Sequence, residues 1–90
     1  IGDISITQIV KHMKDKDFTS VRKWVATTDI DSTTFFRKLY DNLYDILKPS
    51  SIPGVVLVLA DYQYKQAFVA DQEINIVACL TEIMANGEFK

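Results

Sequence analysis

Two residues of types that perform chemistry, His12 and Cys79, each occur once in this 90-residue chain. A catalytic thiol or imidazole needs a nearby base or acid that activates it, and neither residue has such a partner close in sequence. His12 falls at the polar edge of the first predicted helix, where we expect it to be solvated, and Cys79 is expected to be a small packing residue. A small enzyme that uses either residue is therefore the weakest hypothesis for this chain.

Paired carboxylates occur at Asp29 with Asp31 and at Asp41 with Asp45, a spacing that in principle suits metal binding or acid–base work. Asp31 is better placed to cap a helix, and Asp41 and Asp45 fall on a predicted solvated face. The chain also lacks the G-x-x-x-x-G-K-[ST] phosphate-binding pattern. We therefore predict that this segment has no catalytic residue, no metal site and no bound cofactor, and that it is not an enzyme.

Charge and hydropathy exclude two further classes of function. The net charge is -2, with 10 basic and 12 acidic residues interspersed, so no basic stripe predicts direct nucleic-acid binding. The Tyr62-Gln63-Tyr64 cluster lacks basic surroundings and is expected to pack rather than stack on bases. The longest apolar run, 55–60, is much shorter than the ~18 residues of a membrane span. No membrane partner is predicted, and a single cysteine fits a reducing, cytoplasmic compartment.

The periodicity of the apolar residues predicts an all-α fold, a compact five-helix bundle that forms one domain over residues 1–90. Apolar residues recur at helical spacing, and Ser5, Asp17, Asp31 and Asp71 stand where N-caps are expected. Pro49 and the serines after it end the third helix. The predicted helices are Ser5–Met13, Phe18–Thr27, Ser32–Leu47, Pro53–Phe68 and 72–86.

The last predicted helix is apolar nearly all round its axis. One face carries Ile74, Val77, Ala78 and Ala85, and a second carries Ile76, Leu80, Ile83 and Met84. Such a helix must be buried on nearly all sides, which is difficult within 90 residues, so part of its surface is expected to meet another chain. Periodicity does not say which face does so. The candidate interface residues are Ile74, Ile76, Val77, Ala78, Leu80, Ile83 and Met84.

Four segments share a pattern with a known family. They are 17–24, 31–40, Leu59–Lys65 and Ala70–Leu80. Their order and spacing resemble the C-terminal collar domain of sliding-clamp loader ATPase subunits of the replication factor C small-subunit type, and within that family the bacteriophage members most closely. Val69 stands where the family commonly has glycine, so the turn between the last two helices is expected to be less tight or shifted.

The resemblance implies that this chain is a fragment of a larger AAA+ ATPase, whose ATP and Mg²⁺ site would lie upstream of residue 1. The collar would join other copies of the same subunit and a second, different clamp-loader subunit into a ring. The sliding clamp and primed DNA would be bound by the domains outside this segment, in the host cytoplasm if the source is a phage. The alternative hypothesis is a free-standing helical adaptor that binds a partner peptide or helix in an apolar groove.

Overall fold

The computed structural model describes residues 6–28 and 31–90. Within these ranges the chain is helical with no strand, which confirms the all-α prediction. A short 3-10 turn at Pro49–Ser51 precedes the fifth helix. The helices are α1 (Thr7–Lys14), α2 (Phe18–Thr27), α3 (Ser32–Asp41), α4 (Leu43–Ile46), α5 (Ile52–Lys65) and α6 (Gln72–Asn86).

Three of the predicted aspartate caps are present. Asp17, Asp31 and Asp71 each accept a hydrogen bond from a backbone N–H in the first turn of the following helix, at 3.2, 3.1 and 2.9 Å. Each bond satisfies a donor that has no partner within the helix. The caps explain why α2, α3 and α6 begin where the sequence predicts. Ser5, the fourth predicted cap, lies outside the described residues.

The predicted third helix, 32–47, is divided in two at Asn42, so there are six α-helices among the described residues rather than five. The Asn42 side-chain amide donates to the carbonyl of Lys38 at 2.8 Å. That carbonyl is the acceptor that the backbone N–H of Asn42 would use in a continuous helix. The Asn42 N–H bonds instead to the Leu39 carbonyl at 3.2 Å, which breaks the helical register and separates α3 from α4.

The α6 helix is the centre of the fold and packs against α5, α2 and α1. Its inner face completes a single hydrophobic core, in which the rings of Trp24 and Phe35 lie 5.8 Å apart between centroids. The largest fully buried side chains come from every α-helix except α4 and from the segment after it: Ile9, Met13, Val21, Phe35, Leu39, Leu47, Val55, Cys79 and Leu80.

Contacts at the end of α6 fix its position. Lys16, at the joint between α1 and α2, donates from Nζ to the carbonyl of Met84, and its Nζ lies 5.4 Å from the ring centroid of Phe89. Phe89 in turn forms an isolated antiparallel bridge with Leu47. The residues around the end of α6 are thereby joined to two segments that are distant in sequence.

Candidate functional site

The seven candidate interface residues of α6 separate into two groups. The side chains of Ile76, Leu80, Ile83 and Met84 are buried in the core of this chain, and they are therefore unavailable to another subunit. Ile74 is 67% exposed, and Val77 and Ala78 are half-buried. The candidate interface is thus reduced to Ile74, Val77 and Ala78 on the outer face of the helix.

This outer face forms the floor of an open groove of about 550 Å³, which we call the α6 groove. One wall is formed by Phe18 and Arg22 of α2, and the other by Tyr62 of α5. The acidic side chains of Glu73 and Glu82 also line it. The floor consists of Ile74, Val77, Ala78, Thr81 and Ala85. The groove is therefore apolar along its base and carries charge at its margins.

Hydrogen bonds hold the Tyr62 wall against α6. The Tyr62 hydroxyl donates to Glu82 Oε1 at 3.0 Å, and the Tyr62 carbonyl accepts a bond from the buried Asn75 side chain at 3.2 Å. Burial, followed by the neighbouring Glu82 carboxylate, raises the pKa of Tyr62 to about 12, so the phenol remains a donor at neutral pH. Contacts within this chain therefore hold the Tyr62 wall in place.

The opposite wall depends on the start of α2. Phe18 is the first residue of that helix and is 46% exposed, whereas Val21, Trp24 and Val25 of the same helix are buried. Asp17 fixes the helix start, and the hydrogen bond from the Ser20 hydroxyl at 2.7 Å lowers the pKa of the Asp17 carboxyl. Phe18 shares the helical spacing of these buried residues, but as the first residue of α2 it extends past the core.

A second apolar feature lies on the outer side of α5 and of the turn that follows it, since α5 ends at Lys65 and Phe68 lies beyond it. Leu57, Tyr64 and Phe68 are 72%, 70% and 71% exposed, and the rings of Tyr64 and Phe68 are 5.1 Å apart between centroids. We call these three residues the α5 ridge. The expectation that the 62–64 cluster packs holds for Tyr62, which is half-buried, but is wrong for Tyr64.

A third feature, the α3–α5 groove, lies between α5 and the α3–α4 segment and has a volume of about 570 Å³. Asp41 lines it and pairs with Arg37 at 3.1 Å on an exposed face. Its apolar lining is Tyr40, Leu43, Tyr44, Ile52, Pro53 and Val56.

The described residues considered for chemistry have different surroundings. Cys79 is fully buried, and this burial raises the pKa of its thiol to about 12, so the thiol stays protonated and packs in the core. His12 is half-buried beside α2, and Asp45 is exposed as expected, whereas Asp29 lies outside the described residues. In the part of the chain that the structure describes, no three His, Cys, Asp or Glu side chains are placed to hold a metal ion.

No helix within residues 6–28 or 31–90 has the length and apolar content needed to cross a membrane. Comparisons with protein-family models and with curated proteins find no match for this chain. Two of the collar-like segments, Leu59–Lys65 and Ala70–Leu80, supply the Tyr62 wall and much of the floor of the α6 groove.

Proposed function

We propose that this chain is the subunit-assembly, or collar, domain of a DNA-replication sliding-clamp loader. The observation that carries the proposal is the two-sided apolar character of α6. Its inner face is buried in the core, while Ile74, Val77 and Ala78 form the open floor of a groove between two preformed walls. An apolar floor left in water favours association with another protein surface.

In this proposal the domain holds ATPase subunits in a ring, so that the whole protein can open the clamp and load it onto primer–template DNA using ATP. Its direct partners are other copies of the same subunit and a second, different clamp-loader subunit. ATP with Mg²⁺, the clamp and DNA belong to the other domains. Support comes from the collar-like segments, two of which coincide with the groove.

A free-standing adaptor is the second candidate function. It is favoured by the form of the α6 groove, which is open, apolar at its base and walled on both sides, as expected of a surface that receives an amphipathic helix. The two candidates differ in a measurable property. A collar domain associates with its own copies or with a related subunit, whereas an adaptor stays monomeric until it meets its target.

The first prediction compares Val77→Glu with Ile83→Glu in the 90-residue chain. Ile83 is buried in the core, and an unpaired buried charge costs about 3–5 kcal/mol, so this variant should lose its helical circular dichroism. Val77 lies on the groove floor, so Val77→Glu should stay helical while its mass in light scattering falls to that of the monomer.

Gln8→Glu is the matched control, because Gln8 is exposed on α1 and lies outside the α6 groove. This variant should assemble as the wild type does. A wild-type chain that is monomeric at millimolar concentration, alone and with the candidate partner subunit, would contradict the collar function. Retained assembly of Val77→Glu would show that the groove is not the contact.

A further inference from the structure

We propose that residues 87–90, which follow α6, act as a clasp that controls the shape of the α3–α5 groove. The clasp is closed on the linker 46–51, which runs from the end of α4 to the start of α5 and joins the two sides of that groove. When the clasp opens, the linker is released and the groove changes shape, while the core helices keep their packing. The inference is independent of the proposed function, because neither the clasp nor the α3–α5 groove shares a residue with the α6 groove.

Three hydrogen bonds close the clasp. The backbone N–H of Lys48 donates to the Glu88 carbonyl at 2.9 Å, and the N–H of Lys90 donates to the Ile46 carbonyl at 3.1 Å. These two bonds have the pattern of a short antiparallel pair. The N–H of Glu88 donates to the Ser51 hydroxyl oxygen at 2.9 Å, which extends the contact to the 3-10 turn before α5. The clasp therefore holds the linker at both of its ends.

The two sides of this contact differ in burial. On the linker, Leu47 is fully buried, whereas Phe89, which forms the bridge with it, is half-buried. The neighbours of Phe89 in the clasp, Glu88 and Lys90, are exposed. Segments with exposed backbone hydrogen bonds and little buried apolar surface open locally before the rest of a domain unfolds. The clasp is therefore the part that opens first, while Leu47 and the helices around it stay packed.

The linker connects residues on the two sides of the α3–α5 groove. Leu43 and Tyr44 of α4 precede it, and Ile52 and Pro53 of α5 follow it. The α4 helix has only four residues and is separated from α3 by the break at Asn42, so α3 does not fix the position of α4 as a continuous helix would. The clasp bonds supply that constraint through the linker. Opening the clasp therefore changes the position of α4 relative to α5, and with it the groove between them.

The test weakens the clasp with Lys48→Pro. Lys48 has φ -67° and ψ 144°, which proline adopts without strain, so this variant loses the N–H donor to Glu88 and keeps the linker conformation. Lys48→Ala is the matched control, because it removes the same side chain and retains the donor. Hydrogen exchange of the Lys90 amide under native conditions should be roughly tenfold faster in Lys48→Pro than in Lys48→Ala, which is the effect of one lost hydrogen bond.

Carbon-13 methyl spectra of the same two variants report on the groove. The signals of Leu43 and Ile52, which line it, should shift or broaden in Lys48→Pro relative to Lys48→Ala. The signals of Val21 in the core and of Ile74 on α6 should be the same in both variants, because the core helices keep their packing when the clasp opens.

Ser51→Ala weakens the clasp in a second way, since it removes the acceptor for the Glu88 N–H, and it should repeat both effects. If the Lys90 amide of the wild type exchanges as slowly as the core amides of α6, the clasp opens only when the whole domain unfolds, and the inference is wrong. Faster exchange in both variants with unchanged Leu43 and Ile52 signals would also overturn it, because the clasp would then open without any effect on the groove.

Discussion

Lys16 combines a backbone cost with a tertiary contact. Its φ of 58° places a non-glycine residue in the left-handed region, which costs roughly 1–2 kcal/mol. Its side chain offsets this cost by donating to the Met84 carbonyl and lying over the Phe89 ring. Lys16→Ala should lose the contacts with Met84 and Phe89 while the residue remains strained at positive φ. Lys16→Gly should lose the same contacts, but glycine adopts positive φ without strain.

We therefore expect Lys16→Gly to be more stable than Lys16→Ala by about 1 kcal/mol in the free energy of unfolding, measured in urea. Both should be less stable than an α1 control, Lys14→Ala, because Lys14 is exposed at the end of its helix. Equal stability of the alanine and glycine variants would mean that the backbone at this position is not strained.

The buried thiol of Cys79 gives the chain a dependence on alkaline pH. Its pKa is about 12 in the folded state against an ordinary value of 9.0. Below pH 9 both states hold the proton, and the stability from burying the neutral thiol is fully present. As pH rises from 9 towards 12 the unfolded state loses the proton first, so the free energy of unfolding should fall by on the order of 1 kcal/mol per pH unit.

Cys79→Ala isolates this effect. The variant should be less stable at pH 8, because a small buried side chain is truncated, but its free energy of unfolding should fall less steeply between pH 9 and 12. Tyr62, whose pKa is also raised to about 12, is present in both proteins, and because burial and Glu82 are the larger causes of its shift and Cys79 a smaller one, most of its contribution cancels in the comparison. Urea unfolding at several pH values gives both slopes, and parallel curves would contradict the assignment to Cys79.

At the scale of the elements, the sequence predicts what depends on local contacts. The aspartates at 17, 31 and 71 are local caps, and the helices that they begin start where expected. The Asp61–Lys65 ion pair is also local, since i,i+4 spacing brings the two side chains together, and it forms at 3.0 Å. The apolar period does not predict the break at Asn42, because that break depends on a bond from the Asn42 side chain to the Lys38 carbonyl.

The candidate site was predictable only in part, for a related reason. Periodicity shows that α6 has two apolar faces, but the positions of α2 and α5 decide which one is covered. Phe18 and Tyr62 belong to different helices and meet α6 only in the folded chain. The walls of the groove are therefore a tertiary property, and no pattern within one helix indicates them.

Two glycines at helix ends should respond in opposite ways to alanine. Gly54 lies in the first turns of α5 with nothing within 4 Å of an added Cβ, so Gly54→Ala should stabilise the chain by about 0.5–1 kcal/mol. At Gly87 an added Cβ would lie 2.9 Å from the Ile83 carbonyl oxygen and 3.2 Å from a Leu47 methyl, so Gly87→Ala should destabilise it by about 1–3 kcal/mol.

Thermal unfolding followed by circular dichroism at one low concentration measures both glycine variants, and each serves as the control for the other. If both raise the midpoint, the Ile83 carbonyl and the Leu47 side chain can move to accept a Cβ at position 87 without loss of stability. If both lower it, the first turns of α5 are more crowded than the open space around Gly54 indicates.

At the scale of the whole molecule, the described part of the chain buries one core yet leaves several large apolar side chains in water. A domain of this size buries only about two-thirds of the surface of its unfolded chain, so its stability is sensitive to any further burial. The exposed large apolar residues are Phe18, Tyr40, Tyr44, Leu57, Tyr64, Phe68 and Ile74. Five of them belong to the α6 groove or the α5 ridge, so association through these surfaces would add to the stability of the folded state.

Self-association should therefore couple the thermal midpoint to protein concentration. Assembly that uses only the folded state stabilises it by mass action, by roughly 1 kcal/mol for each tenfold rise in concentration. For a chain of this length 1 kcal/mol raises the midpoint by about 4–8 °C. The wild type and Gln8→Glu should show this rise. Val77→Glu should have the same midpoint at all concentrations, because burying its unpaired charge in a contact would be strongly unfavourable. A concentration-independent midpoint for the wild type would mean that the exposed apolar residues do not stabilise the fold through contacts between copies.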